Sequence, residues 1–162
     1  MQYLTILQFL ILLALANGSP VIAKWVFGNY CSRPLDGNIK FVDGRPLLGA
    51  SKTIRGIFVS IVITSACAPL IGLTGRLGLL VATTAMAGDL LSSFLKRRLG
   101  LQPSSQAVGL DQIPESLLPL LVCRQAFSLT VLDVVVGTAI FFIGEVVLSR
   151  LLFRLHVRDR PY

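Results

Sequence analysis

The stretch L-G-L-L-V-A-T-T-A-M-A-G-D-L-L-S-S-F-L-K-R-R, Leu77 to Arg98, decides the fold. Leu77 to Leu95 is an apolar run of the size a spanning helix needs, about 20 residues, and it ends on Lys96, Arg97 and Arg98. One carboxylate, Asp89, lies inside the run near that charged end. An ionised side chain at such depth is costly and marks a functional site. On a helix, Ser92, Ser93 and Lys96 share the face of Asp89 at i+3, i+4 and i+7. Carboxylate, hydroxyl and cation on one face suit a metal-bound phosphate. An Asp89–Lys96 pair that simply holds a bundle together is the alternative.

The rest of the chain has the same character. Its 162 residues are 54% apolar and 14% charged, and the mean hydropathy is +0.76. A soluble domain carries about a quarter charged residues, so this composition belongs to the bilayer. It excludes a disordered tail, a collagen-like fibre and a disulfide scaffold. The expected architecture is all-α: one polytopic domain over residues 1–162 with about five transmembrane helices.

The first apolar run covers about Tyr3 to Phe27 and is broken by Asn17-Gly18-Ser19-Pro20. Ala14-Leu15-Ala16 resembles a signal-peptidase site, but no Lys or Arg precedes the run, as a signal peptide requires. A retained helix kinked near Pro20 is expected. The second run is about Ile54 to Leu73, and the third is Leu77 to Leu95. From Ile113 to Phe153 the chain is too long for one span, so Arg124 to Asp133 is read as a hairpin between a short fourth helix and a longer fifth.

Orientation follows from the basic residues. Lys24, Arg33, Lys40, Arg45, Lys52 and Arg55 border or occupy the first connection. Lys96, Arg97 and Arg98 open the third, and Arg150, Arg154, Arg158 and Arg160 end the chain. Only Arg76 and Arg124 fall elsewhere. With five spans all the others share one side. The N-terminus is therefore expected outside, with two polar loops, about 28–53 and 96–112, in the cytoplasm. The expected location is the inner (plasma) membrane, with the basic tail from Arg154 to Tyr162 resting on anionic lipid headgroups.

The first loop is rich in Gly and cations, the raw material of a phosphate cradle. Gly44, Gly49 and Lys52-Thr53 approach a P-loop, but Ala50-Ser51 interrupt the required Gly-Lys-Thr. What remains is Ser51 to Gly56 at the start of the second span, where backbone N–H groups with Lys52 and Arg55 could face a phosphate. A positive-inside anchor is the plainer reading. Asp36-Gly37 and Asp43-Gly44 are turn-forming pairs. Asp111 closes the second loop. It is either a helix N-cap, with Glu115 four residues on rather than the three of a capping box, or a partner of Asp89 on one Mg²⁺. Asp133 is expected to pair with Arg124. Glu145 should face the bundle, and no role follows for it.

Three cysteines, Cys31, Cys67 and Cys123, lack metal-ligand spacing and read as free thiols. The one histidine, His156, lies in the basic tail, which removes histidine-based zinc sites and a Ser-His-Asp triad. Chemistry here must run on carboxylates, hydroxyls, lysines and arginines.

Gly88-Asp89-Leu90-Leu91-Ser92-Ser93-Phe94-Leu95-Lys96-Arg97 resembles the G-D-L-x-x-S-x-x-K-R stretch of phosphatidate cytidylyltransferases, the CDP-diacylglycerol synthases. The likeness is closer to the small archaeal CDP-archaeol synthases and their bacterial look-alikes. It extends to Asp36-Gly37, Asp43-Gly44-Arg45, Gly49, Ser51 to Gly56, Pro103-Ser104-Ser105 and Leu110 to Pro114. The resemblance implies a transferase that joins CTP to a lipid phosphate and needs Mg²⁺. It implies Asp89 and Asp111 as metal ligands. Lys52, Thr53, Arg55, Lys96 and Arg97 would contact phosphate or nucleotide, with Ser93 beside them, and Asp36 and Asp43 are secondary candidates for the polar cavity. The larger bacterial enzymes carry a later H-G-G-x-x-D-R-x-D motif, of which only Asp111 is present here, followed by Gln112.

A lipid phosphate is largely anionic at neutral pH, with a second pKa near 6, so no strong base is needed. The demand is for cations around two anions. Membrane lipids are the surroundings; nucleic acid is not expected, because no aromatic stacking surface accompanies the basic residues. Three other readings stand beside this one. The CDP-alcohol phosphatidyltransferase pattern is missing after Asp36-Gly37. A small transporter would show repeats or broken helices, and a non-catalytic adaptor would not need the two polar loops. Ether-isoprenoid and acyl tails both remain open, as do monomer and homo-oligomer.

Overall fold

In the computed structural model, residues 2–103, 105 and 107–154 are described. Ser104 and the tail with His156, Arg158 and Arg160 lie outside them. The helices are α1 (Tyr3–Phe27), α2 (Ile54–Cys67) with a 3-10 turn at Ala68–Ile71, α3 (Gly75–Arg98), α4 (Gln112–Val122) and α5 (Val131–Arg154). Among the described residues the connections contain only two isolated bridges, Pro34 with Thr53 and Lys40 with Pro46. The all-α reading holds.

Among the described residues, four helices are long and apolar enough to cross a membrane: α1, α2 with its 3-10 turn, α3 and α5. α4 is shorter, 11 residues or about 16 Å of rise. The turns from Cys123 to Thr130 complete its path. Lys96, near the end of α3, is paired with Asp111 at its start, while Gln2 Nε2 donates to Ser128 O at 3.1 Å at its finish. The fourth segment thus runs from the α3 C-terminus to the α1 N-terminus.

Thr residues start two of the helices. Thr53 Oγ1 accepts from Gly56 N at 3.1 Å, and Thr74 Oγ1 accepts from Leu77 N at 3.3 Å, the usual N-cap arrangement. α1 continues through Pro20. Proline has no N–H for the carbonyl four residues back; here Ser60 Oγ of α2 donates to Ala16 O at 2.7 Å in its place.

In lipid, helices associate through close packing of small residues. A Cβ on Gly78 of α3 would lie 2.7 Å from Thr64 O of α2, and one on Gly88 would lie 2.2 Å from Pro114 O. Only glycine permits these approaches. Around them Phe9, Leu12, Leu13, Val81, Ala85 and Leu120 form the buried core. Phe9 meets Phe127 edge-on, with centroids 5.1 Å apart.

The first connection is folded onto the end of α3. Arg98 Nη1 pairs with Asp43 Oδ1 at 2.7 Å, and Arg98 Nη2 donates to Pro46 O at 2.5 Å. The Arg98 guanidinium also lies over the rings of Phe41 and Phe94. Arg45 Nη1 in turn donates to Arg98 O at 2.6 Å.

At the opposite end of the bundle, the expected Asp133–Arg124 pair does not form. Asp133 Oδ2 accepts from Thr130 N and Oγ1 at 2.9 and 2.8 Å, ahead of α5. Arg124 Nε donates to Leu129 O at 3.1 Å. Local partners reach each group first. The three cysteines are free.

Candidate active site

A cavity of about 670 Å³ opens among α1, the start of α2, the C-terminal half of α3, the start of α4 and Glu145 of α5. The close contact at Gly88 creates its polar floor. Because Gly88 has no side chain, Pro114 and Glu115 of α4 can lie against α3 beside Asp89. The Glu115 carboxyl, 7% exposed, lies against that of Asp89. Lys52 Nζ reaches the same carboxylate, 2.5 Å from Oδ1 and 2.6 Å from Oδ2.

Burial opposes the charge on Lys52, but Asp89, Glu115 and Asp111 outweigh it and raise its pKa above the ordinary lysine value. Lys52 is therefore a fixed cation at the junction of the first connection, α3 and α4. Asp89 pairs with Lys52 rather than Lys96. Lys96, 8% exposed, pairs with Asp111 Oδ1 at 2.7 Å and donates to Ser105 O at 3.0 Å.

The N-cap reading of Asp111 is corrected. Its side chain makes no cap bond to α4 and instead accepts from Ala107 N at 3.0 Å. Lys96 and an upstream loop amide hold it more closely than the helix end does.

Arg97 is 2% exposed. Its Nη2 donates to Gln102 O at 2.9 Å, while Nε and Nη1 are buried without a hydrogen-bond partner. A guanidinium with unused buried donors is costly unless an anion is supplied. Gly49, at φ +94°, leaves room beside it; a Cβ there would lie 3.2 Å from Arg97 Nη1.

Lys52, Thr53, Arg55, Asp89, Ser93, Lys96, Arg97 and Asp111 all line the cavity. Thr53 is also the α2 cap, and Arg55 donates to the carbonyls of Tyr30 and Gly28. Asp36 and Asp43 take no part in the lining. Asp36 accepts backbone N–H groups from Asn38, Leu48 and Gly49 at 2.9–3.0 Å and organises the first connection. Asp43 is held by Arg98. The turn reading of both Asp-Gly pairs stands, with Gly37 at φ +56° and Gly44 at φ +76°.

Glu115 is the site residue that sequence reading passed over. Its spacing from Asp111 misses a capping box by one residue, although it lies one turn beyond Asp111 on an amphipathic helix. Contact with Asp89 depends on the Gly88 approach, which no spacing rule reveals.

The donor set suits Mg²⁺. Two carboxyl groups in contact repel unless a proton or cation lies between them, and every donor is oxygen. Among the described residues, no group of three or more His, Cys, Asp or Glu forms a metal cage. Mg²⁺ commonly takes only one or two carboxylates and completes its shell with water and substrate phosphates.

The family model CarS-like: CDP-archaeol synthase matches residues 68–162, more than half of the chain. The chain belongs to the CDP-archaeol synthase family. The "CDP-archaeol synthase" of Sulfurisphaera tokodaii is 31% identical over 157 residues, 91% of this chain and 89% of that protein. The protein of the same name from Hyperthermus butylicus is 39% identical over 104 residues, 60% of this chain and 59% of that protein. A solved structure described as an intramembrane enzyme for archaeal membrane lipids biosynthesis superposes with a TM-score of 0.72. It is 30% identical and covers 86% of this chain and 91% of its own. Membership in the CDP-archaeol synthase family and the long apolar helices make this a multi-pass membrane protein.

Proposed function

We propose that this protein transfers CMP from CTP to a membrane lipid phosphate, with Mg²⁺. A phosphate oxygen of the lipid attacks the α-phosphorus of CTP. The new O–P bond forms as the bond from the α-phosphorus to the bridging oxygen breaks, and pyrophosphate leaves with that electron pair. The observation that carries the reading is Lys52, Lys96 and Arg97 around one cavity with Asp89 and Glu115, in a chain of the CDP-archaeol synthase family.

Both reactants are anions, so positioning and fixed charge supply most of the help. Lys52 and the start of α2 hold one phosphate-bearing partner. Lys96 and the unused donors of Arg97 hold the triphosphate and the departing pyrophosphate. Asp89 keeps the Lys52 ammonium aimed into the cavity, and Asp111 does the same for Lys96. Asp89 and Glu115, with Asp111 beside Lys96, are the carboxylates that would hold Mg²⁺, and the ion supplies charge neutralisation on the triphosphate. The basic ends of α1 and α3 and the start of α2 support a cytoplasmic position for this cavity, where CTP is available.

The test is CMP transfer from radiolabelled CTP to a panel containing an archaeal-type ether phosphate and phosphatidate, with and without Mg²⁺. A Mg²⁺-dependent CDP-lipid is expected. No product from any lipid phosphate overturns the reading.

A further inference from the structure

The α1 wall of the cavity has no part in the phosphate chemistry above. Asn17, Pro20, Val21 and Lys24 line it, and steps of 3, 4 and 7 residues place them in one stripe on one helix face, with Gly28 at the cap beyond the helix end. Between Asn17 and Lys24 the helix rises about 10 Å. Lys24 is the one charged residue of α1. An anchor at the membrane surface accounts for a lysine in the last turn. It does not account for an amide two turns deeper on the same face, where polar groups are expensive. Asn17 Nδ2 is buried with no hydrogen-bond partner, so a donor is kept at membrane depth in the wall of the cavity.

The stripe is also held in place. Ser60 Oγ supplies the hydrogen bond that Pro20 cannot give to Ala16 O, and a Cβ on Gly56 would lie 3.4 Å from Pro20 Cβ. Both contacts come from α2, the helix that begins beside Lys52.

Resting on the CMP transfer above, we infer that this stripe is the subsite for the lipid substrate, a phosphate monoester on a glycerol backbone. Lys24 meets its phosphate at headgroup level, and Asn17 donates to the first oxygen of the glycerol backbone, from which the tails leave toward the bilayer. A lipid whose polar part runs along the α1 axis fits a polar stripe about 10 Å long. A nucleotide entering from water meets Lys96 and Arg97 of α3 instead.

The experiment measures apparent KM separately for lipid phosphate and for CTP in wild type, Lys24→Gln, Lys24→Arg and Asn17→Leu. Thermal shifts produced by lipid phosphate without CTP accompany these kinetics. Lys24→Gln is expected to raise the lipid-phosphate KM about tenfold, the size of one lost charge-assisted contact, with the CTP KM nearly unchanged. Asn17→Leu is expected to raise it several-fold, and Lys24→Arg to recover most of the loss. Lipid phosphate should raise the Tm of wild type and not that of Lys24→Gln, and soluble glycerol phosphate should not substitute. Unchanged lipid KM in both variants, equal rises in both KM values, or an equal Tm rise with glycerol phosphate overturns the subsite. If wild type transfers no CMP at all, the reaction falls instead, and the thermal shifts alone decide the subsite.

Discussion

Lys52 Nζ touches both carboxylate oxygens of Asp89, at 2.5 and 2.6 Å, across 37 residues of chain. The pair joins the first connection to α3 and sets a cation against a carboxylate at the edge of the membrane. Side-chain exposures of 21% and 19% leave it partly screened.

Removing one partner strands the other. Lys52→Ala is expected to lower stability by about 2 kcal/mol, below the roughly 3–5 kcal/mol of a fully buried pair. Lys52→Ala combined with Asp89→Asn should recover part of that stability but no activity. Thermal unfolding in detergent with CMP-transfer assays separates the two effects.

Gly88→Ala places a methyl group 2.2 Å from Pro114 O. α4 must move, carrying Glu115 from Asp89. Overpacking of this kind costs about 1–3 kcal/mol, and activity should fall further than stability alone explains. Gly144→Ala meets nothing within 4 Å and should leave Tm and turnover near wild type.

Arg97→Ala removes the two buried donors that lack partners. CTP binding, read by equilibrium dialysis, should weaken about 10–100-fold, the size of a charged hydrogen bond or two. Tm should change less than in Lys52→Ala.

The Asp36 carboxylate gives a pH signature. Burial raises its pKa, but the N–H groups of Gly49, Leu48 and Asn38 outweigh burial and bring it below the ordinary 3.8. The folded protein then binds protons more weakly than the unfolded chain. Its contribution is therefore present above about pH 4 and lost as pH falls through the lowered value. Protection against hydrogen exchange in residues 34–53, taken relative to the intrinsic rate at each pH, should fall below that pH in wild type, and Asp36→Asn should be less protected at neutral pH with a flatter acid response.

The helices were legible because apolar runs between charged loops leave a bilayer protein few choices. Asp89 was legible because a carboxylate in such a run stands out. The partners were harder. Asp89 selects Lys52, which is distant in sequence, over Lys96 two turns away on its own helix. Asp43 reads as a cavity group, yet Arg98 takes it, because the first connection folds back onto the end of α3. Glu115 depends on a helix approach set by one missing Cβ. The helix through Asn17 to Pro20 is expected from sequence with a kink at Pro20, but the partner that replaces the missing proline N–H, Ser60 Oγ on Ala16 O, and the turn of Asn17 toward the cavity are not.

The most direct measurement is Mg²⁺-dependent CMP transfer from labelled CTP to lipid phosphate by purified wild type beside Asp89→Asn, with Tm recorded for both. A CDP-lipid from wild type, absent from a folded Asp89→Asn protein, is the expected result. Equal product from both proteins, or none from a folded wild type with any lipid phosphate, contradicts the account.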